Sequence, residues 1–324
     1  MKTSVDLAEL RRRTRASWGA ATDPQGVAAA AAGAADLAAR AYQQGDRDAR
    51  WQAESTIYYL NIESHFAPPV DPVAGAVWST LMQAKLADLR RELGADAAGR
   101  EYTTDEMRSA LEAAVARWGA FNHPVLADIE KKGLPAYRVW AKNWFGSCFG
   151  FSLQLASLVQ RTTGAAKKAV LENLNDEFDD TVTHDVLRVR FYESLGLRYS
   201  SEEAVKDPDW VLGSTELLNL RTGLCNLPDP MPALGCFYTV EANWPPECKI
   251  HHAMNKGRGV DDHTLEYWTT HAFADEHHSA EWLEVLIESA RTGAQRTAAV
   301  EGALVQLKLR WRMYDQIGEK VAAI

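Results

Sequence analysis

The sequence predicts an all-α protein, and three observations support this prediction. Apolar residues recur at helical spacing through most of the 324 residues, whereas the alternation typical of strands is scarce. The 12 prolines cluster at a few places and leave long proline-poor segments between them. The hydrophobic content of 46% is ample for one large core or two modest ones. A disordered chain is therefore excluded, and a helical globular protein is expected.

Residues 1–120 are predicted to form an additional N-terminal helical region. Its helices are rich in alanine and leucine, which are strong helix formers, and Thr103 ahead of Asp105 and Glu106 is typical of a helix start. Their apolar faces must be buried on the rest of the chain or against a second copy. We therefore expect this region to support the fold and a homodimer. The predicted helices cover residues 27–44, 46–66, 71–93 and 104–118.

Residues 121–324 are predicted to form a second helical domain, with the boundary at the segment GAFNHP, residues 119–124. Their number is sufficient for a domain with its own core. Pro245 and Pro246 are expected to end a helix, because proline lacks the amide hydrogen that a helix interior needs. The predicted helices cover residues 135–162, 165–178, 182–195, 233–243, 264–292 and 295–321.

Composition and motifs exclude several classes of partner. A net charge of −9 argues against a nucleic-acid or anionic membrane surface, since either requires clustered positive charge. Neither a signal peptide nor an apolar run of ~18 residues is present, and the four cysteines form no CxxC pair, so a cytoplasmic protein is expected. The nucleotide-binding motifs GxGxxG and GxxxxGK[ST] are absent, which argues against bound flavin or nicotinamide. Heme is not expected, because the early axial candidate His123 precedes a proline.

The segment YWTTHAFADEHHSAEW contains the most informative pattern in the chain. His271, Asp275 and His278 stand at positions i, i+4 and i+7, so they fall within about 60° of arc on one face of a helix. His277 is rotated away from that face. A single histidine on a buried helix is more often an ordinary core residue, but three candidate ligands on one face indicate a metal site.

Two further segments offer carboxylate and imidazole groups. Glu177 and His184 are seven residues apart, which is two turns if the helix continues between them. Glu241 follows ten largely apolar residues, and a charge in such a segment needs a partner, either a metal or a buried arginine such as Arg188. Alternative carboxylates beside Glu177, most of which a solvent-exposed face would explain, are Glu172, Asp176, Asp179 and Asp180.

Together these segments supply six candidate metal ligands. Imidazole mixed with carboxylate and without thiolate suits Fe(II) or Mn(II), with zinc as an alternative, and six ligands indicate two ions. The candidate ligands are Glu177, His184, Glu241, His271, Asp275 and His278.

At this point the sequence resembles a known family, the heme-oxygenase-like diiron oxidases and oxygenases. Members of that family carry Glu-x6-His, a later Glu, and His-x3-Asp-x2-His, in the order in which the six candidates occur here. The match covers roughly residues 121–320, including the lead-in HPVLADIEKKGLPAYRVWAKNWF. The resemblance implies an up-down helical bundle like those of heme oxygenase and TenA, two irons between the core helices, and O₂ as co-substrate for oxidation of a small metabolite.

The resemblance implies several possible reactions, of which N-oxygenation is favoured. About 120 helical residues precede the matched region, and some N-oxygenating members, such as the enzyme that forms the N-nitroso group of streptozotocin, have a helical N-terminal region too. The expected product is a hydroxylamine, nitroso or nitro compound made from a small amine, amino acid or guanidine-like metabolite. The alternatives are a desaturating or C–C-cleaving diiron oxidase, or a metal-free TenA-like binding or hydrolytic protein.

The remaining expectations concern substrate contacts and electrons. Candidate substrate-binding residues lie one and two turns after His184 or close to the other ligands, although an ion-paired arginine and core aromatics would explain them equally. No reductase domain is recognisable, so a ferredoxin or flavoprotein is expected to supply electrons. The substrate-binding candidates are Arg188, Tyr192, Trp244 and Tyr267.

Overall fold

A computed structural model of the protein describes residues 6–15, 23–179 and 182–324, except for the side chains of residues 179 and 273–277. Throughout these residues the chain is helical and contains no β-strand, which confirms the all-α prediction. A short 3₁₀ turn, Ala120–Asn122, joins the two halves of the chain. The α-helices are α1 (Leu7–Arg15), α2 (Pro24–Tyr42), α3 (Arg47–Glu63), α4 (Pro72–Glu92), α5 (Thr104–Trp118), α6 (Val125–Lys132), α7 (Leu134–Cys148), α8 (Phe151–Val159), α9 (Gly164–Asp179), α10 (His184–Ser194), α11 (Ser201–Ala204), α12 (Leu212–Cys225), α13 (Met231–Gly257), α14 (Glu266–Ser289) and α15 (Gly293–Ala322).

Three long helices, α13, α14 and α15, form the centre of the molecule. Helix α13 packs along both α14 and α15, and α12 lies against α15, α7 and α3. Helices α9 and α10 pack against α14. This arrangement encloses a space between α9, α10, α13 and α14, where the candidate ligands lie.

The N-terminal helices are packed onto the rest of the chain. Helix α2 lies against α3 and α4, α3 contacts α12, and α5 contacts α15. Apolar residues of their inner faces, such as Leu37, Ile57 and Leu81, are fully buried. The apolar faces therefore find their partners within one chain, and the division into residues 1–120 and 121–324 stays a prediction.

The single helix expected over residues 135–162 is wrong, because α7 ends at Cys148 and α8 begins at Phe151. Gly150 adopts a φ of +75°, a left-handed conformation that favours glycine. A Cβ at this position would also collide with the ring of Phe66. The break places Ser147 and Cys148 beside the central space.

The expected helix end at Pro245 and Pro246 is also wrong. Helix α13 passes through both prolines and continues to Gly257. Proline removes one hydrogen bond each time, so the carbonyl groups of Glu241 and Ala242 lose their usual partners in the helix. Burial of α13 between α14 and α15 outweighs that cost.

The sequence reasoning missed helix α12. Every residue from Gly213 to Cys225 is buried, so this helix has no exposed face and no amphipathic period to recognise. Its glycine, serine, threonine and asparagine residues also lower its helix propensity. The other helices missed were α1, α6 and α11.

Candidate metal centre

Four helices bring five of the six candidate ligands to one cavity. Glu177 lies near the end of α9, His184 is the first residue of α10, and Glu241 lies in the middle of α13. His271 and His278 lie two turns apart on α14. All five line the same cavity.

Glu177, His184 and His271 form the tightest group. Each offers one ligand atom, and these atoms lie within 4.8 Å of one another. The Oε1 atom of Glu177 is 3.4 Å from Nδ1 of His184. The two-turn spacing of Glu177 and His184 held only if one helix continued between them, and it does not apply, since α9 ends at Asp179 and residues 182 and 183 are not helical, in agreement with the separate helices predicted over residues 165–178 and 182–195. The packing of α9 and α10 against α14, rather than helical spacing, brings the two residues together.

A hydrogen bond orients the ring of His271 so that one of its nitrogens could bind a metal. Its Nδ1–H donates to the carbonyl oxygen of Tyr267 at 2.8 Å, which leaves Nε2 as the nitrogen with the lone pair. Burial, together with the nearby charge of His184, lowers the pKa of His271 to about 3. The imidazole is therefore neutral at physiological pH, as a metal ligand must be.

His278 lies between two carboxylates. Its Nε2 is 2.6 Å from Oδ2 of Asp176, and its Nδ1 is 3.7 Å from Oε2 of Glu241. Burial raises the pKa of Glu241, although the proximity of His278 opposes this effect. The alternative partner for Glu241, an ion pair with Arg188, is not found, because Arg188 lies 2.5 Å from Asp185 instead.

Asp176 was among the alternative carboxylates beside Glu177, and the structure brings it into the cavity lining. Glu172 is instead paired with Lys168 on the outside of α9. The side chains of Asp275 and His277, and the residue Asp180, lie outside the described part of the chain. Asp275 therefore stays a predicted ligand.

Three of the four candidate substrate-binding residues line the cavity, namely Arg188, Trp244 and Tyr267. Tyr192 does not fit its predicted role. Its ring packs against Phe145 with 4.3 Å between the ring centroids, and it lines a different pocket. Tyr192 does lie two turns after His184 on α10, but its side chain packs against α7 and not into the ligand cavity.

Large aromatic rings pack together beside the cavity, and two of them, Trp244 and Tyr267, line it. Trp144 is stacked on Trp244 with 6.1 Å between the ring centroids, and Tyr267 and Trp268 lie 5.4 Å and 5.0 Å from Trp144. All four side chains are buried. Such a wall excludes water from one side of the ligand group and strengthens the electrostatic interactions inside.

Sequence reasoning missed two arginines in the lining, Arg221 on α12 and Arg310 on α15. Arg310 donates to Glu247 at 2.8 Å and lies over the ring of Trp244. No local motif marks either residue, because each comes from a helix distant in sequence from the ligands. Only the packing of α12 and α15 against α13 could reveal them.

Comparison with known proteins identifies the family. A family model described as an iron-containing redox enzyme matches residues 138–311, more than half of the 324-residue chain. The chain belongs to this family. A 4-aminobenzoate synthase of Chlamydia pneumoniae is 30% identical to this iron-containing redox enzyme over 161 residues, which make up 49% of this chain and 69% of the relative. The predicted assignment to an oxidoreductase that uses iron is thereby confirmed.

A solved structure has the same fold. A domain of unknown function with a heme oxygenase-like fold, from Shewanella denitrificans OS217, matches with a TM-score of 0.53. The match covers 64% of this chain and 90% of that domain, at 14% sequence identity. It confirms the predicted heme-oxygenase-like fold of this iron-containing redox enzyme.

The residues present fit iron. The group of Glu177, His184 and His271 combines one carboxylate with two imidazoles, a set that suits Fe(II). Cys148 also lines the cavity but lies outside this group. Among the described helices of this iron-containing redox enzyme, none is long and apolar enough to cross a membrane.

Proposed function

We propose that this iron-containing redox enzyme is an O₂-dependent non-heme diiron N-oxygenase acting on a small amine, amino acid or guanidine-like metabolite. The observation that carries the proposal is the group of Glu177, His184 and His271 in a buried cavity that also contains Glu241 and His278. Five candidate ligands around one space are more than a single ion can use while it keeps positions open for O₂ and substrate.

The ligands divide naturally between two ions. Glu177, His184 and His271 would hold one iron, while Glu241 and His278, together with Asp275, would hold the other. Asp176 would then orient His278 from the outside, as carboxylates commonly do for ligating imidazoles. The bound irons would supply the activation of O₂ and the transfer of electrons to it.

The name of the relative supports nitrogen chemistry. 4-Aminobenzoate carries an amine on an aromatic ring, and the chain shares 30% identity with an enzyme named for making it. In the balanced reaction, an amine R–NH₂, O₂, two electrons and two protons give R–NHOH and water. A ferredoxin or flavoprotein reductase would deliver the two electrons from outside the chain.

The lining of the cavity suits a neutral amine. A nitrogen that forms a bond to oxygen must offer its lone pair, and an ammonium group has none. Burial in the cavity disfavours a cationic substrate nitrogen and lowers its pKa. The aromatic wall around Trp144 keeps water away from the same space.

The test is anaerobic loading with Fe(II), followed by exposure to ¹⁸O₂ with a reductant and a panel of amines and amino acids. The expected result is about two irons per chain and a product whose nitrogen carries ¹⁸O. His263→Ala is a suitable control and should leave the iron content unchanged, since His263 is exposed and lies ahead of α14.

Two results would contradict the proposal. A product without ¹⁸O that has lost hydrogen or a carbon fragment would indicate a desaturating or C–C-cleaving oxidase. A protein that binds no iron under any loading condition would instead indicate a metal-free TenA-like protein.

A further inference from the structure

Arg221 is a buried guanidinium group in the wall of the ligand cavity. It is 2% exposed and lies on α12, the helix that is buried on all sides. Among the described residues, it donates one hydrogen bond, from Nη2 to the carbonyl oxygen of Ser147 at the end of α7. Its Nε–H is buried without an acceptor. Since arginine has five N–H donors, most of its capacity is unused within the described chain.

The other two arginines of the cavity have anionic partners. Arg188 is paired with Asp185, and Arg310 with Glu247. No carboxylate of the described residues forms an ion pair with Arg221. Glu177 and Glu241 line the same cavity, but in the proposed centre both are committed to iron.

Neighbouring thiols do not supply the missing negative charge. Cys225 and Cys236 lie close enough to Arg221 for its charge to oppose the rise in their pKa. Burial raises the pKa of both, to about 12 for Cys236, so both thiols remain neutral at physiological pH. The positive charge of Arg221 therefore has no counter-ion within the described residues.

An isolated buried charge is costly to a folded protein, because arginine cannot lose its proton. The cost is removed when an anion enters the cavity and pairs with the guanidinium. A carboxylate matches this group best, since its two oxygens accept two parallel N–H donors. A buried, unpaired arginine beside a metal site is the arrangement expected for substrate recognition rather than for stability.

We infer that Arg221 anchors a carboxylate of the substrate, so the enzyme acts on amino-carboxylates rather than on simple amines. This assigns to Arg221 the role that the sequence suggested for Arg188, which Asp185 already neutralises. The identity of the reacting group rests on the proposed function. Binding of the carboxylate does not rest on the proposed function, because it requires only Arg221 and the cavity.

The experiment compares two probes of equal shape and different charge, benzoate and benzamide. Their dissociation constants are measured calorimetrically on the iron-loaded protein without O₂. We expect benzoate to bind at least about tenfold more tightly than benzamide. Equal affinities for the two probes would overturn the proposal.

Two variants show which arginine binds the carboxylate. In Arg221→Gln the preference for benzoate should fall to near one, whereas Arg188→Gln should keep it, because the charge of Arg188 is already matched by Asp185. A preference that survives Arg221→Gln would overturn the proposal and indicate that benzoate binds the irons directly. A lower melting temperature together with an unchanged preference would assign Arg221 a structural role and would also overturn it.

Circular dichroism and iron content show whether Arg221→Gln folds. If it does not, Arg221→Lys decides, since lysine keeps the charge but loses the planar fork. A preference reduced by at least about threefold, with unchanged affinity for benzamide, supports the anchor, and an unchanged preference overturns it. No turnover is measured in any of these experiments, so failure of N-oxygenation would leave their result intact.

Discussion

The imidazole rings of His184 and His271 lie 4.5 Å apart, centroid to centroid, at an angle of 58°. They come from different helices, α10 and α14, and both are buried. Two positive imidazoles at this distance would repel each other, which favours the neutral forms. With Glu177 beside them, these rings form the group whose ligand atoms lie close enough together to hold one metal ion.

The first prediction concerns His271. His271→Ala should sharply lower iron content and turnover, because it removes the Nε2 atom that the hydrogen bond to Tyr267 orients. His277→Ala should be nearly silent, since helical spacing turns its side chain away from the ligand face. Iron analysis of both purified variants checks this, and equal losses would reject the argument from the helical face.

A pH dependence follows from the need for a neutral substrate nitrogen. For an amine of high pKa, kcat/KM should rise with pH, because the fraction carrying a free lone pair grows as pH increases. The rise should end at the pH at which another group that turnover requires changes its protonation state. A profile of kcat/KM against pH, measured for two amines of different pKa, tests this. Identical profiles would show that the amine does not control the rate.

Lys85 provides a test of how the N-terminal helices are held. It is fully buried on α4, and its Nζ lies 2.8 Å and 2.9 Å from the two carboxylate oxygens of Glu54 on α3. Lys85→Met should lower the free energy of unfolding by about 3–5 kcal/mol, because it leaves the Glu54 charge buried and unpaired.

Urea denaturation measures that loss, and Lys206→Met is the control. Lys206 forms an exposed pair with Glu203, so its replacement should change stability little. The double variant Lys85→Met with Glu54→Gln should recover part of the loss, since the unpaired charge is then absent. A Lys85→Met protein as stable as the parent would contradict the buried pair.

Close packing of α13 and α15 depends on two glycines. A Cβ on Gly235 would collide with the carbonyl oxygen of Ala299, and one on Gly302 with that of Pro232. Gly302→Ala should therefore destabilise the protein by about 1–3 kcal/mol or more, because backbone atoms must move apart. Gly257→Ala, on the same helix as Gly235 but facing open space, should leave stability unchanged or slightly higher. Thermal melts of the two variants should differ accordingly.

The homodimer stays a prediction. It was argued from apolar faces of the N-terminal helices, and residues of those faces such as Leu37 and Leu81 are buried within one chain. A dimer would therefore need another surface. Light scattering of the intact protein should give twice the chain mass of 35.9 kDa. A monomer at all concentrations would refute it.

Part of the candidate centre could be predicted because two of its candidate ligands follow a local rule. His271 and His278 are seven residues apart on one helix, and the pitch of an α-helix sets their common face whatever the rest of the chain does. Helix starts are local in the same way. The side chain of Thr103 accepts a hydrogen bond from the amide of Glu106, as the sequence of that segment predicts.

Other features were decided by packing. Pro245 and Pro246 were expected to end α13, and a sequence cannot show that burial between α14 and α15 would outweigh two lost hydrogen bonds. Asp176 and Glu172 looked equally exposed along α9, yet only Asp176 faces His278. Which carboxylate enters the cavity depends on the helix packed opposite.

The sequence by itself therefore determined the helical fold class, which depends on contacts within a few turns of helix, and the order of the candidate ligands along the chain. The tertiary structure alone decided that Arg221 reaches the same cavity. Helix α12 is buried on every side, so its sequence shows no amphipathic period. Whether its arginine is paired with an opposite charge depends on residues that are distant in sequence but adjacent in space.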